Sequence, residues 1–279
     1  MSDAVIKKWE SWHAERNQAL AAEHGWLTLV SFTWVGLDPE LIPDFPGIWK
    51  GEEDGRLVAE FSDLGFVREA ETGEPVVGQR EWLLNNEESA FDLVTDTRLA
   101  EVAKRGGRYA VRVRDSQAPT RAEFTGVPIY DYNPRWALRG EYRAVEPYEV
   151  TRDTAMPGVQ GTARIVGEVT LKNDDAGSVT LRVEEFSEGR RLIIFSDVSS
   201  GNQTAFWRNV AVMPVGDTAG MGDEAGVGAE VDAGDNGVVI VDFNFAANFP
   251  AAFSVYATCP KPVEGNFIPW PILAGERRP

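Results

Sequence analysis

A chain of 279 residues, 43% hydrophobic and 25% charged, has the composition of an ordinary globular protein, with room for one large core or two modest ones. Its formal charge of −17 argues against nucleic acid and anionic membrane surfaces. Affinity for phosphate backbones comes from lysine and arginine displacing counterions, and no dense basic cluster exists here.

No run of 18 apolar residues is present, so no bilayer-spanning helix is expected. The first residues lack the apolar centre of a secretory signal. The one cysteine, Cys259, has no partner within the chain for a disulfide, which fits a reducing compartment. A cytoplasmic location is the expectation.

Residues 1–22 form an N-terminal helical segment, with the helix itself read over 3–22. Val5, Trp9, Trp12, Arg16 and Leu20 recur at helical spacing and make one stripe, and Gly25 sits where a C-terminal cap is expected. The two tryptophans are read as contacts that dock the helix on a sheet. From Trp26 the pattern turns to strand: Trp26–Val35, Leu57–Phe61, Phe91–Thr95, Tyr109–Arg114, Tyr142–Ala144, Ala163–Leu171, Ser178–Glu185, Arg191–Ser196, Val210–Pro214 and Val238–Phe243. Along Tyr109–Asp115 the side chains alternate, Val111 and Val113 on one face and Arg112 and Arg114 on the other, the arginines read as a solvated face. Gly106-Gly107 and Glu188-Gly189 are expected turns.

Many short strands with short connections predict an all-β protein, a mainly antiparallel sandwich or barrel with one N-terminal α-helix. The expected division is an N-terminal β unit over 23–146 and a C-terminal β unit over 147–279, with Pro147 at the boundary. Residues 216–237 carry six acidic side chains, no basic ones and mostly glycine and alanine otherwise. Such a stretch buries too little apolar area to offset its ordering entropy and is expected to be a flexible acidic insertion.

Three blocks near the C-terminus stand out: Val241-Asp-Phe-Asn-Phe-Ala-Ala-Asn-Phe-Pro250, Tyr256-Ala-Thr-Cys-Pro260, and Asn266 through Ala274-Gly-Glu276. With Gly25–Leu29, Gly107–Arg121 and Phe195–Gly201, they resemble the bacterial family called domain of unknown function 1684. The likeness extends over nearly the whole chain. Members often carry a second cysteine where this chain has Ala251-Ala252, and Thr-Tyr-Gly where it has Thr204-Ala-Phe206, so cysteine-pair chemistry is unsupported. The resemblance implies no particular reaction.

Asp242 and Asn244 end an apolar strand on the face of Val238 and Ile240. A carboxylate and an amide continuing an apolar row need partners if buried. Asn248 and Asn266 are placed to join them, either as a polar pocket floor or as ties for an irregular loop. Arg208 follows Ser199-Ser200-Gly201 and is suited to grip an anionic ligand or to pair with Asp197 or Asp242. Cys259, in Thr-Cys-Pro, reads as a small buried hydrophobe unless a base adjoins it. His13 and His24 give neither a zinc signature nor a base for a catalytic triad. No metal site and no cofactor signature is found.

The leading expectation is a small-molecule-binding β protein, open to enzymatic chemistry, with a polar pocket around Arg208, Asp242, Asn244, Asn248, Asn266 and Cys259. The alternative is a non-catalytic interaction module that uses a β edge or the acidic insertion. Oligomeric state is not legible.

Overall fold

A computed structural model describes residues 3–62, 66–173, 175–215 and 236–279. It is mostly β with one long N-terminal helix, as the sequence pattern predicts. The chain forms two compact units: one joins residues 1–19 to 126–279, and the other is the intervening stretch 20–125.

The intervening unit holds β1 (Leu29–Trp34), β2 (Glu40–Ile42), β3 (Phe45–Gly51), β4 (Leu57–Phe61), β5 (Arg68–Glu69), β6 (Gly78–Trp82), β7 (Ser89–Val94), β8 (Arg98–Arg105) and β9 (Arg108–Asp115), then a short helix α2 (Pro119–Ala122). Two antiparallel sheets, in orders β1-β9-β8-β7-β5 and β2-β3-β4-β6, share one core. Trp49, fully enclosed, stacks on Trp82 at 5.5 Å between ring centroids and meets Phe61 edge-on. This is the sandwich solution: each sheet buries its alternate apolar residues against the other. Trp26–Thr28 is a single 3₁₀ turn, and Gly25 precedes it with φ −69°, so Gly25 is not the left-handed helix cap that the sequence suggests.

The other unit begins with α1 (Asp3–Leu20) and resumes with β10 (Ala137–Asp153), β11 (Gln160–Asn173), β12 (Gly177–Glu185), β13 (Arg191–Asp197), β14 (Arg208–Pro214), β15 (Gly237–Asp242), β16 (Ala247–Asn248) and β17 (Phe267–Ile268). Antiparallel pairing runs β10–β11–β12–β13–β14–β15 and returns to β10, closing a six-stranded barrel. Closure satisfies the hydrogen bonds that an open sheet would leave at its edges. Leu181, Val183, Ile193, Phe195, Val210, Val212, Val239 and Val241 fill the interior. Gly167 lets β11 pass the Tyr142 ring, because a Cβ there would collide with it.

The boundary expected at residue 146 falls inside β10. The register with β11 slips between Ala144 and Tyr148, so Pro147 marks an irregularity within one 17-residue strand. Proline lacks the amide hydrogen for the ladder, yet a bulge accommodates it without ending the strand. The units divide instead near residues 19 and 126. The expected acidic insertion, 216–237, lies outside the described residues except Asn236 and Gly237. Among the described residues no helix is long and apolar enough to cross a membrane.

Candidate functional site

The conspicuous polar residues are held by main chain and by one another, in separate places. Asp242 accepts the backbone and side-chain N–H groups of Asn244 at 3.0 and 2.8 Å, capping a 3₁₀ turn over Phe243–Phe245. Asn244 accepts the N–H of Asn133 at 2.8 Å and donates to its carbonyl at 2.9 Å. Burial pushes the Asp242 carboxyl above its ordinary range, outweighing the bonds from Asn244 and Tyr132. Burial and the nearby Asp242 in turn push the Tyr132 hydroxyl up to about 12.

Arg208 is wholly enclosed and donates to Asp197, Ala274, Ile272 and Glu276. Asp197 is thus its carboxylate partner, at 3.0 Å, and Asp242 is not. Asn248 lies opposite Arg208 in the β14–β16 register and donates to the carbonyl of Arg277 at 2.8 Å. Glu276 receives the Arg16 side chain and the N–H of Asn248, so the helix stripe docks on the C-terminal segment. Trp9 donates to the Asn244 carbonyl, and Trp12 packs edge-on against Phe245. Gly275 permits the crossing: its φ is +69°, and a Cβ would lie 2.5 Å from the Ala246 carbonyl. Asn266 does not join Asp242. It bridges β12 and β13 through the backbones of Arg182 and Ile194. Cys259 is buried, with its carbonyl accepting from Ala155.

These residues therefore fasten 242–248 and 266–276 at the barrel end where Trp270, Ile272 and Ala274 enter the core, while the stretch between them reaches the far end of β10, with Pro260 opposite Thr154. The single polar pocket expected around Arg208, Asp242, Asn244, Asn248, Asn266 and Cys259 is not formed. Buried amides and carboxylates that satisfy backbone groups do structural duty first.

A second correction lies in the intervening unit. Arg112 and Arg114 are not solvated but buried, and both pair with the enclosed carboxylate of Glu101, at 3.0 and 2.7 Å. The Arg114 guanidinium lies 4.6 Å from the Trp26 ring and Arg112 lies 5.7 Å from Phe32. Burial alone would raise the Glu101 carboxyl, but the two arginines hold it below its ordinary range.

The fastening has a consequence nearby. Asn133, gripped by Asn244, caps the turn Pro134–Trp136 by accepting the Arg135 N–H at 3.1 Å. That turn presents Arg135 and Trp136 to a cavity of about 460 Å³, lined also by Leu138, Lys172, Trp270 and Leu273. Both tryptophans are more than nine-tenths buried, and the Trp270 indole N–H has no acceptor among the described residues. Arg135 stacks over Trp136 at 4.9 Å. The cavity combines apolar walls with two cationic side chains and the Asp175 carboxylate, and Lys172 is bonded to Glu141 at 2.7 Å. A smaller pocket of about 120 Å³ opens between Phe206, Trp207, Phe249, Ala251 and Arg278. Both stretches that depart from the family pattern, Thr204–Phe206 and Ala251–Ala252, contribute to it.

A family model described as a protein of unknown function (DUF1684) matches residues 122–277, more than half of the chain. The chain belongs to the DUF1684 family. The DUF1684 match takes in the barrel, the fastened segment and the residues named for the larger cavity. Gly25–Leu29 and Gly107–Arg121 lie outside it. Among solved structures, the chain is similar to the solution structure of an uncharacterized protein of Haloarcula marismortui, at 21% identity and TM-score 0.43, over 57% of this chain and 79% of that one. No curated protein matches the chain.

Sequence reasoning missed Trp270, Arg135 and Lys172 as neighbours. The tryptophans are scattered along the chain, and only the crossing of residues 268–274 over the barrel end brings Trp270 beside Trp136. Arg16 was visible as the one charged member of the helix stripe, and Glu276 as the end of the Ala-Gly-Glu block.

Proposed function

We propose that this DUF1684 protein binds a small molecule with a planar or apolar ring and an anionic group, in the cavity between Trp136 and Trp270. The observation that carries the reading is a cavity of about 460 Å³ walled by Trp136 and Trp270, beside the buried Trp270 indole N–H that has no acceptor among the described residues. Small-molecule sites are concave, mostly apolar and fitted with a few polar groups, and their volumes span about 300–1,000 Å³. Tryptophan supplies flat apolar area and one directional donor. Arg135, which has no ion pair among the described residues, supplies the positive charge for the anionic group, while Lys172 is shared with Glu141 and Asp175 lies on the same rim.

Benzoate is the probe that tests it. Millimolar benzoate should raise the melting temperature of the wild type and quench tryptophan fluorescence. Leu273→Trp, which fills the cavity, should remove both responses, and Trp270→Phe should weaken them. An absent response in the wild type, or an equal one in Leu273→Trp, overturns the reading.

The interaction-module alternative has some support in Phe206, which stands two-thirds exposed beside the smaller pocket. Its β-edge form draws nothing from the barrel, which closes on itself, and rests on the outer strands of the two open sheets in the other unit. Retention of the benzoate response in Phe206→Ser separates the two readings.

A further inference from the structure

Five arginines among the described residues are more than nine-tenths buried: Arg112, Arg114, Arg152, Arg191 and Arg208. Four of them face a carboxylate. Arg112 and Arg114 share Glu101, Arg152 lies 2.6 Å from Glu184, and Arg208 pairs with Asp197. Arg191, only 2% exposed, has no ion pair among the described residues, and its Nε and Nη1 donors are buried without an acceptor.

Its place in the fold is specific. Arg191 opens β13 and shares the inward face of that strand with Ile193 and Phe195. It therefore stands at the barrel end opposite the one that residues 268–274 cover. Its guanidinium lies over the Tyr142 ring, 5.3 Å from the centroid, while the Tyr142 hydroxyl is already committed to the Val166 carbonyl at 3.2 Å. Glu185 is its partner across the β12–β13 ladder, but that carboxylate accepts from Arg164 at 2.9 Å. A ring face compensates a desolvated cation only in part. A buried charge without a counter-charge is among the most costly features a core can hold.

We propose that Arg191 is the recognition group of an anion site at this end of the barrel, taking a small oxyanion such as a phosphate or carboxylate group. Arginine is suited to this task because it stays charged when desolvated and offers several donors in a fixed plane. The net charge of −17 would repel anions at long range. Binding would therefore rest on local hydrogen bonds, and it would respond to the chemistry of the anion more than to ionic strength.

The test measures melting temperature against phosphate, with sodium chloride adjusted to hold ionic strength constant. Wild type should melt progressively higher as phosphate rises. Arg191→Met, similar in length and uncharged, should melt no lower than wild type without phosphate and should give no phosphate response. Lys172→Met, in the separate cavity beside Trp136, should respond as wild type does. A wild type indifferent to phosphate overturns the proposal, as does a full response in Arg191→Met. A response lost in Lys172→Met and kept in Arg191→Met would assign the anion to the tryptophan cavity instead, ending this proposal while sparing that one. Should Arg191→Met fail to fold, Arg191→Gln carries the same comparison.

Discussion

The two ends of the barrel treat a buried arginine in opposite ways. At one end Arg208 meets a carboxylate and three carbonyls. At the other Arg191, six residues from Asp197 on the same strand, meets an aromatic ring, and its Nε and Nη1 find no acceptor among the described residues. The contrast separates polarity that fastens the fold from polarity left available. Residue type does not distinguish the two cases, since both are arginines at the first position of a strand. What distinguishes them is whether the rest of the chain answers their donors.

The largest way to sharpen this contrast is Arg208→Met. Removing the cation strands the enclosed carboxylate of Asp197 and three carbonyls, and breaking a buried pair costs about 3–5 kcal/mol. Urea unfolding should show that loss, whereas Arg191→Met should show none. Equal losses at both positions would erase the distinction between the two ends.

Gly275→Ala comes next. The left-handed backbone alone costs an ordinary residue about 1–3 kcal/mol, and the Ala246 carbonyl stands in the way of the added carbon. Urea unfolding should register at least that much, with the benzoate response weakened because residues 268–274 no longer seat.

Asn244→Ala should cost about 1–3 kcal/mol, the usual penalty for leaving buried partners unsatisfied. It also frees Asn133 and the turn carrying Arg135 and Trp136. Loss of the benzoate response beyond what Arg135→Met produces, read by fluorescence, would mark Asn244 as a positioning residue. An unchanged response would make it purely structural.

The smallest effects are in pH, and they carry opposite signs in the two units. Asp242 titrates above its ordinary 3.8 when folded, chiefly through burial, so the folded protein holds that proton more tightly than the unfolded chain. Its contribution is full below pH 3.8 and is lost as pH rises through the folded value. Glu101 is held below its ordinary 4.5 because Arg112 and Arg114 outweigh burial. Its contribution is present above pH 4.5 and lost as pH falls below it. Melting profiles of Asp242→Asn and Glu101→Gln should therefore depart from wild type in opposite directions across the acidic range. Parallel profiles would contradict the assignment.

Much of the fold was legible because strand alternation is local. Val239, Val241 and Phe243 line the barrel as their period-two spacing requires, and Val111 and Val113 line the sandwich. Closure of the barrel was not legible, because it depends on β15 returning to β10, with Asp242 opposite Ala137, more than a third of the chain away. The polar residues were identified but not their duty. Arg112 and Arg114 looked solvated because Glu101, which neutralises them, sits on the neighbouring strand and gives no signal in their own segment. Asp242 and Asn244 looked like a pocket floor because the backbone they satisfy, at Asn133, lies 111 residues from Asn244. Arg191 was invisible as anything but half of an Arg-Arg pair.

The bond between Arg16 and Glu276 joins residues 260 apart, with the whole sandwich encoded between them. During translation α1 emerges early and waits without its docking surface, exposing Trp9 and Trp12, while residues 20–125 are made and can fold as a unit. The barrel receives its fastening only when the ribosome has delivered Glu276. A stalled or prematurely ended chain would thus carry a finished sandwich beside an unlatched barrel and a stranded amphipathic helix, a natural target for chaperones and proteases.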